Sequence, residues 1–319
     1  MRALIFHDGA LGDVLLSLPC ITAIGKHDLP PDIVCRSDVG RLLMSSGAVR
    51  GAFSSDSRMF STWYAGRPDN AARERLAGYG RLYVFTRQGG SDLALAIASA
   101  VPDTRVIITV PPEGDRKHVA EYRLRQLEAA LRDAAPVRLT VDPAFRQQAG
   151  EALERAGYAG QGLVVLQPGS GGRHKCWPLE RYFALAERLA DKAGAFMLFL
   201  TGPAEGPAIR AQIRQFVGSR TRMATIADAD LPVSAGLLAQ CGLFVGNDSG
   251  ITHLAAAIGA PVIALFGPTD PVLWAPRGGC VRVIAAGAME GISVEAVLAA
   301  ADDAGARAFS VSSPRDLKI

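Results

Sequence analysis

The chain has 319 residues, of which 49% are hydrophobic and 20% are charged, and its formal net charge is +3 at pH 7. This length suits two domains of about 150 residues, and the composition favours a globular protein over a disordered one. The weak positive charge, without a basic run interleaved with aromatic residues, argues against nucleic acid as a partner and is compatible with anionic substrates or an anionic membrane surface.

The first half of the chain alternates apolar segments with helical patterns. Its predicted elements are strands at Ala3–Phe6, Asp32–Cys35, Leu82–Phe85 and Arg105–Val110, and helices at Leu11–Ile24, interrupted by Pro19, and Lys117–Leu131. The turn-rich stretch Phe53–Asn70 is predicted to be a surface excursion. The proline-containing segment Asp133–Asp142 has no clear period, so we place a domain boundary there.

The alternation restarts after this boundary, which predicts domains 1–142 and 143–319. The predicted strands are Leu163–Leu166, Phe196–Leu200, Arg222–Ile226, Leu243–Val245 and Pro261–Phe266, and the predicted helices are Pro143–Ala156, Leu179–Lys192, Glu205–Phe216, Val233–Gln240 and Ile251–Ile258. Two halves of this kind predict an α/β protein with two doubly wound, Rossmann-like domains that face each other across a cleft.

Cysteine usage and the N-terminal segment bear on location. The five cysteines are scattered without C-x-x-C spacing, which is typical of a reducing compartment. The segment after the first strand is an amphipathic helix containing Pro19, so it predicts neither a secretion signal nor a membrane span. We therefore expect a cytoplasmic protein, with any membrane association peripheral and electrostatic.

The loop after the first strand carries two glycines and an aspartate. Gly9 and Gly12 permit a tight turn and a close approach of the backbone to a substrate. Their G-x-x-G spacing does not match the G-x-G-x-x-G dinucleotide fingerprint, which argues against a nicotinamide oxidoreductase. Asp13 falls in the first turn of a helix, where it is either an electrostatic cap or a general base that deprotonates an acceptor hydroxyl.

Two further loops follow strands of the second half. Residues 167–178 contain three glycines together with Ser170 and Lys175, so they predict either an anion-binding concavity or a plain glycine-rich loop with a solvated lysine. The third loop contains Thr201, Gly202 and Glu205. The carboxylate of Glu205 is either a partner for ribose hydroxyls or an acid in the first turn of a helix.

A polar elbow after strand Leu243–Val245 begins another helix. Asp248, Ser249 and Gly250 lie at a helix N-terminus that favours an anion, although capping is an equally simple role. His253 lies one turn further on, either as a satisfied buried histidine or as a group that orients a phosphate or a sugar. No histidine pair has metal-ligand spacing, and Asp228-Ala229-Asp230 is interpreted as helix capping rather than a metal-binding D-x-D, so no metal or cofactor is expected.

Taken together, three blocks of the sequence resemble the heptosyltransferases of lipopolysaccharide synthesis, glycosyltransferase family nine. The blocks are Gly9-x-x-Gly12-Asp13-Val14-Leu15 ending in Leu18-Pro19, Pro168-Gly169-Ser170 with Lys175-x-Trp177-Pro178, and Asp248-Ser249-Gly250-x-x-His253-Leu254 continuing to Gly267-Pro268-Thr269-Asp270-Pro271. Their order and spacing match over the first 25 residues and nearly the whole second half.

The resemblance implies a GT-B fold with an N-terminal acceptor-side domain and a C-terminal domain that binds ADP-heptose. It implies inverting transfer of heptose, without a metal, to a lipid-linked sugar acceptor at the inner membrane. Under this resemblance Asp13 is the base, Lys175 holds the diphosphate and Glu205 lies near the ribose. Asp248 contacts the sugar or caps the helix, and Ser249–His253 lies beside the diphosphate.

The chain departs from the family pattern in its first half. Family members generally have a basic residue in the first loop, where this chain has His7-Asp8, and the segment Thr86–Asp92 is a poor match. We expect Arg58, Arg67 and Arg87 to supply the missing charge toward an anionic acceptor. The alternatives left open are a GT-B transferase with another nucleotide sugar or acceptor and a non-catalytic nucleotide-sugar-binding paralogue.

Overall fold

The computed structural model describes residues 2–26, 29–57, 60, 62–63, 70–87, 92–101, 103–128, 137–218 and 220–304. These residues belong to two compact units, Met1–Thr140 and Val141–Ile319. Half of the stretch Phe53–Asn70, including Arg58 and Arg67, lies outside the described residues, as does the chain after Ala304. The assignment of an acceptor-side role to 1–142 and a donor-side role to 143–319 stays a prediction.

The first unit contains a parallel sheet in the order β3-β2-β1-β4-β5. Its strands are β1 (Ala3–Phe6), β2 (Asp32–Cys35), β3 (Gly51–Ser54), β4 (Arg81–Thr86) and β5 (Thr104–Ile108). The described helices of this unit are α1 (Leu11–Leu16), α2 (Leu18–Gly25), α3 (Ser37–Ser45), α4 (Asn70–Leu76), α5 (Asp92–Ala100) and, after β5, α6 (Val119–Leu124).

Of two helix predictions in this unit, the one interrupted by Pro19 is confirmed and the other is wrong in length. The predicted helix Leu11–Ile24 is two helices that meet at Ser17, because Pro19 has no N–H with which to continue the helical hydrogen bonds. The predicted helix Lys117–Leu131 is the short α6, which begins after His118, whose side chain accepts from the backbone N–H of Ala120. Elements β3, α3, α4 and α5 were not predicted.

The second unit contains a larger parallel sheet in the order β11-β10-β9-β6-β7-β8. Its strands are β6 (Leu163–Gln167), β7 (Phe196–Thr201), β8 (Met223–Ala227), β9 (Leu243–Asn247), β10 (Val262–Phe266) and β11 (Val281–Ala285). The helices are α7 (Pro143–Arg155), α8 (Leu179–Ala193), α9 (Pro207–Val217), α10 (Leu231–Leu238), α11 (Gly250–Ile258), α12 (Pro271–Trp274) and α13 (Val294–Ala304), with short 3₁₀ helices at Arg173–Lys175 and Met289–Gly291.

The inner strands of the second sheet form its core. Every residue of β6, β7, β9 and β10 is buried, as expected for parallel strands covered by helices on both faces. Helix α10 packs so closely on α7 that a Cβ on Gly236 would lie 2.4 Å from the carbonyl oxygen of Phe145. No helix among the described residues is long and apolar enough to cross a membrane.

The strand orders decide which loops are neighbours. In both sheets successive strands are first added on one side of the first strand and then on its other side. This topological switch point lies between β1 and β4 in the first unit and between β6 and β9 in the second. Open parallel sheets bind ligands beyond the carboxyl ends of the strands at such a point. The two candidate regions are therefore the loop after β1 and the loops after β6 and β9.

Candidate functional site

In the second unit, a buried asparagine ties together the loops that follow β6 and β9. Asn247 ends β9 and is fully buried. Its Nδ2 donates to the carbonyl oxygen of Pro168 at 2.6 Å, and its Oδ1 accepts from the backbone N–H of Trp177 at 3.0 Å. Because these bonds hold the start and the end of the glycine-rich loop, Asn247 fixes the path of the segment that carries Ser170 and Lys175.

Ser170 and Lys175 both reach the elbow after β9. Ser170 Oγ donates to the carbonyl oxygen of Asp248 at 2.6 Å, and Lys175 Nζ lies 2.7 Å from Asp248 Oδ2. On the other side of the carboxylate, His253 Nε2 is 3.9 Å from Asp248 Oδ1. Burial alone would raise the pKa of Asp248, but its interactions with His253 and Lys175 outweigh burial and lower it to about 2.

Ser249 and Gly250 form the N-terminus of α11. Ser249 is the N-cap residue, and its Oγ accepts from the backbone N–H of Thr252 at 3.3 Å. The same hydroxyl donates to Gln167 Oε1 at 2.8 Å. Gly250 is the first residue of the helix, next to the Lys175–Asp248 ion pair. Ser249 is therefore the helix cap, whereas Asp248 is the counter-ion of Lys175.

Glu205 is buried and connects the loop after β7 to the end of β6. It is 2% exposed, its Oε1 accepts from Gln167 Nε2 at 2.9 Å, and its Oε2 accepts from the backbone N–H of Gly202 at 2.6 Å. Thr201, the residue before Gly202, ends β7 and is also buried. Helix α9 begins at Pro207 with no acid in its first turn, so the interpretation of Glu205 as a first-turn helix acid is wrong.

In the Asp228-Ala229-Asp230 triplet, Asp228 forms an ion pair with an arginine. Asp228 accepts two hydrogen bonds from the Arg210 guanidinium, at 2.5 and 2.8 Å, so it does not cap α10 as interpreted. Asp230 occupies the N-cap position of α10 without a side-chain cap hydrogen bond. Among the described residues, no group of three or more His, Cys, Asp or Glu side chains could hold a metal ion.

In the first unit, the loop after β1 brings Asp13 into the first turn of α1. Gly12 lies within α1, and Gly9 sits between two side chains. A Cβ on Gly9 would lie 2.9 Å from His7 Cε1 and 3.0 Å from Asp13 Cβ, so the turn needs a residue without a side chain at position 9.

A buried arginine that sequence reasoning missed holds Asp13. The Arg123 side chain, on α6, is 0% exposed, whereas that of Asp13 is 26% exposed. Arg123 donates from Nη2 to Asp13 Oδ1 at 2.9 Å, from Nη1 to Asp13 O at 2.6 Å and from Nε to the Thr109 carbonyl oxygen at 2.9 Å. Burial lowers the pKa of Arg123 below its usual value, against the opposing effect of Asp13.

His7 does not provide the basic charge that the family pattern has in this loop. The side chain is 2% exposed and its ring stacks on Phe85 with the centroids 4.9 Å apart. Burial and the charge of Arg123 lower the pKa of His7 to about 3, so the ring is neutral at physiological pH. Of the three arginines expected to supply charge, Arg87 is described, and it is exposed after the end of β4.

Two solved structures with similar folds are heptosyltransferases. The structure of E. coli ADP-heptose lps heptosyltransferase II has a TM-score of 0.76 and 19% identity, over 95% of this chain and 98% of that chain. The structure of E. coli heptosyltransferase WaaC with ADP has a TM-score of 0.71 and 20% identity, over 96% of this chain and 100% of that chain. The fold class is thus that of the GT-B glycosyltransferases, as predicted.

The sequence itself matches a family. Residues 109–296, more than half of the chain, match glycosyltransferase family 9 (heptosyltransferase). Lipopolysaccharide heptosyltransferase 3 of Escherichia coli is 25% identical over 296 residues, which is 83% of each chain. This chain belongs to glycosyltransferase family 9, and it is a glycosyltransferase.

Proposed function

We propose that the protein transfers heptose from ADP-heptose to a lipid-linked sugar acceptor of the lipopolysaccharide core, with inversion and without a metal ion. Membership of family 9 supports this, as does the similarity to lipopolysaccharide heptosyltransferases. The observation that carries the proposal is the arrangement of Lys175, Asp248 and the N-terminus of α11 beyond the adjacent strands β6 and β9.

This arrangement suits a departing diphosphate. In the transfer, the bond between the anomeric carbon and the phosphate oxygen breaks, and negative charge grows on ADP. A partly exposed ammonium at Lys175, together with the unpaired N–H groups of a helix N-terminus, stabilises that charge. Gly250 adds no side chain at this helix end, and Ser170 holds the backbone of Asp248 in place.

Asp13 is the proposed base. As the acceptor oxygen bonds to the anomeric carbon, its proton passes to the Asp13 carboxylate, and attack on the face opposite the leaving group inverts the configuration. The aspartate is partly exposed and is held by Arg123, so it can meet an acceptor while keeping a fixed direction. The backbone at Gly9 and Gly12 can approach the acceptor closely for lack of side chains.

The remaining predicted residues are assigned to the donor. Gly202 and Glu205 form a small polar corner after β7, beside Thr201, and we assign the ribose to this corner. The Glu205 carboxylate already accepts two protein hydrogen bonds, and its remaining lone pairs are the ones proposed to accept from ribose hydroxyls. Asp248 and His253 are assigned to the sugar and the diphosphate, respectively.

A transferase with a different acceptor is the second candidate. The neutral, buried His7 favours it, because the loop that carries a basic residue in the family carries no charge at that position here. Such an enzyme would keep the ADP-sugar donor and would differ in the charge of the acceptor.

Donor identity is tested by thermal unfolding with ADP, UDP and GDP. A ligand at about 100 times its dissociation constant adds about 2.7 kcal/mol to the free energy of unfolding, so ADP alone is expected to raise the melting temperature clearly. Preference for UDP or GDP contradicts the ADP-heptose proposal.

Transfer is tested by incubation of the protein with ADP-heptose and a series of truncated lipopolysaccharide cores, with product mass as the readout. The Asp13→Asn variant is expected to lower kcat roughly 100-fold and to leave ADP binding unchanged. Asp8→Asn, at an exposed position of the same loop, is the matched control. Turnover that survives Asp13→Asn excludes this base, and turnover lost in a chelator excludes the metal-free reaction.

A cytoplasmic location, with peripheral contact at the inner membrane surface, is part of the proposal. The chain should bind vesicles of anionic lipid more tightly than neutral ones, and added salt should release it. Equal binding to both kinds of vesicle contradicts the electrostatic contact.

A further inference from the structure

A buried chain of hydrogen bonds connects His7 to the backbone of Asp13 through Ser17. His7 Nε2 lies 3.0 Å from Ser17 Oγ, and Ser17 Oγ donates to the Asp13 carbonyl oxygen at 3.1 Å. We propose that His7, as a neutral ring, is a positioning residue that orients the Asp13 base through Ser17. This inference rests on the proposed role of Asp13.

The direction of each hydrogen bond follows from the groups that surround the ring. The backbone N–H of Gly9 donates to His7 Nδ1 at 3.3 Å, so Nδ1 carries no proton and Nε2 carries it. Nε2 therefore donates to Ser17 Oγ. Arg123 Nη1 also donates to Ser17 Oγ, at 2.9 Å. With two donors on its lone pairs, the Ser17 hydroxyl has one direction left for its own proton, toward the Asp13 carbonyl.

A protonated ring would not fit this environment. Both ring nitrogens of a protonated histidine are donors, so Nδ1–H would face the Gly9 N–H, and the added charge would lie near the buried Arg123 guanidinium. The stacking on Phe85 and the space left by Gly9 fix the plane of the ring. The site therefore accepts a neutral histidine and not a protonated one.

The network leaves one oxygen of Asp13 available for chemistry. The Asp13 carbonyl accepts from Ser17 and from Arg123, and Oδ1 accepts from Arg123. Within the described ranges, no hydrogen bond to Asp13 Oδ2 is present. Oδ2 is thus the oxygen that receives the acceptor proton, and its direction depends on the backbone that His7 and Ser17 hold.

The test compares kcat and KM of His7 variants with ADP-heptose and the lipopolysaccharide core that gives product in the transfer assay. His7→Phe keeps a ring on Phe85 but cannot donate to Ser17, and we expect kcat to fall roughly 10- to 100-fold with the KM for ADP-heptose within about 2-fold. His7→Gln restores a donor at the position of Nε2 and should recover most of the loss. Ser17→Ala should reproduce His7→Phe with a smaller packing change.

Ser234→Ala is the matched control, because it removes another buried hydroxyl that bonds to a backbone carbonyl. Its kcat should stay within about 2-fold of the wild type. Melting temperatures of all variants, measured without ligand, separate a folding defect from a catalytic one. A His7→Phe variant that folds and keeps the wild-type kcat overturns the inference.

A double-mutant cycle with Asp13→Asn separates positioning of the base from a general structural effect. If His7 acts through the Asp13 carboxylate, His7→Phe should change the residual kcat of Asp13→Asn by less than about 2-fold. The same loss in both backgrounds overturns the inference and leaves the role of Asp13 intact. If Asp13→Asn alone keeps near wild-type kcat, it is the proposed function of Asp13 that fails, whatever His7→Phe does.

Discussion

The two units each present a carboxylate–cation pair where their sheets reverse direction, but the pairs are built with opposite orientation. In the first unit the cation is buried, with the Arg123 side chain 0% exposed, and the Asp13 carboxylate is 26% exposed. In the second unit the Asp248 carboxylate is 10% exposed and the Lys175 ammonium is 32% exposed. Each unit therefore has a carboxylate–cation pair, but the first unit exposes the negative member and the second unit exposes the positive member.

This difference accounts for how similar folds can supply different chemistry. The more buried member of each pair is held in place by the protein and fixes the direction of its partner. The exposed member faces solvent and is the one that can act, as a proton acceptor at Asp13 or as an anion-binding group at Lys175. Four changes test this contrast, in order of the expected size of the effect.

The largest effect is expected from removal of the buried cation. Arg123→Met leaves the carbonyls of Thr109 and Asp13 without their buried donors, so we expect the free energy of unfolding to fall by about 3 kcal/mol. Urea unfolding measures the loss. Arg125→Met is the control, because Arg125 is exposed and pairs with Glu121. Equal losses in the two variants contradict the structural role of the buried guanidinium.

Removal of the exposed cation should affect binding rather than stability. Lys175→Gln is expected to weaken ADP binding by roughly 100-fold, since it replaces a charged hydrogen bond to the diphosphate with a neutral one. Isothermal titration calorimetry with ADP measures this change. Lys192→Gln, at an exposed lysine paired with Asp302, should leave ADP affinity unchanged. Wild-type affinity in Lys175→Gln means that the anion site lies elsewhere.

The buried neutral histidine predicts how stability depends on pH. The pKa of His7 is about 3 in the folded chain and 6.5 ordinarily, so between these values the unfolded chain binds a proton that the folded chain does not. Stability therefore falls as pH falls below 6.5. From pH 7 to pH 5 the contribution of His7 is about 2 kcal/mol, and His7→Gln should lack it.

Urea unfolding at pH 7 and pH 5 measures this difference. Asp248, with a pKa of about 2, titrates below the interval and does not interfere. If the wild type and His7→Gln lose the same stability between the two pH values, the histidine is already able to bind a proton in the folded chain.

The smallest effect is expected from neutralising the buried carboxylate. Asp248→Asn removes the negative charge that lies 2.7 Å from Lys175 Nζ, so the ammonium becomes free to bind a phosphate. ADP, which lacks the sugar, should then bind a few-fold more tightly in calorimetry. Weaker binding would mean that Asp248 is needed to hold Lys175 in position.

The inner strands were predictable because burial on both faces produces continuous apolar runs, as in Leu163–Gln167 and Val262–Phe266. The edge strands β3 and β11 were not, because each is partly exposed; β3 is a short run of mainly small residues, and Arg282 interrupts the apolar residues of β11. The short helix α6 was predicted too long because its apolar pattern continues past its hydrogen bonds, which tighten to i→i−3 at Gln126 and Leu127.

The site was predictable where a loop follows a strand, and less so where the contact is distant in sequence. Asp13, Lys175 and Asp248 lie in or just after the segments that follow β1, β6 and β9, where glycines and polar residues indicate a candidate site. Arg123 contacts Asp13 from 110 positions away, and no local pattern distinguishes it from a surface arginine. Asn247 and Gln167 could have been predicted as candidate site residues, since each is a polar residue at the carboxyl end of an apolar strand.

The strand order of the second sheet has a consequence for synthesis on the ribosome. β6 lies at the centre, yet one of its two neighbours, β9, begins only at Leu243, after β7 and β8 have been made. Until then a nascent chain carries an inner strand with one edge unpaired, which is open to wrong pairing and is a surface for chaperones. If the donor binds at the proposed site, a nucleotide can protect this unit only after Asp248 has emerged, so donor binding would stabilise the finished domain and not its folding intermediates.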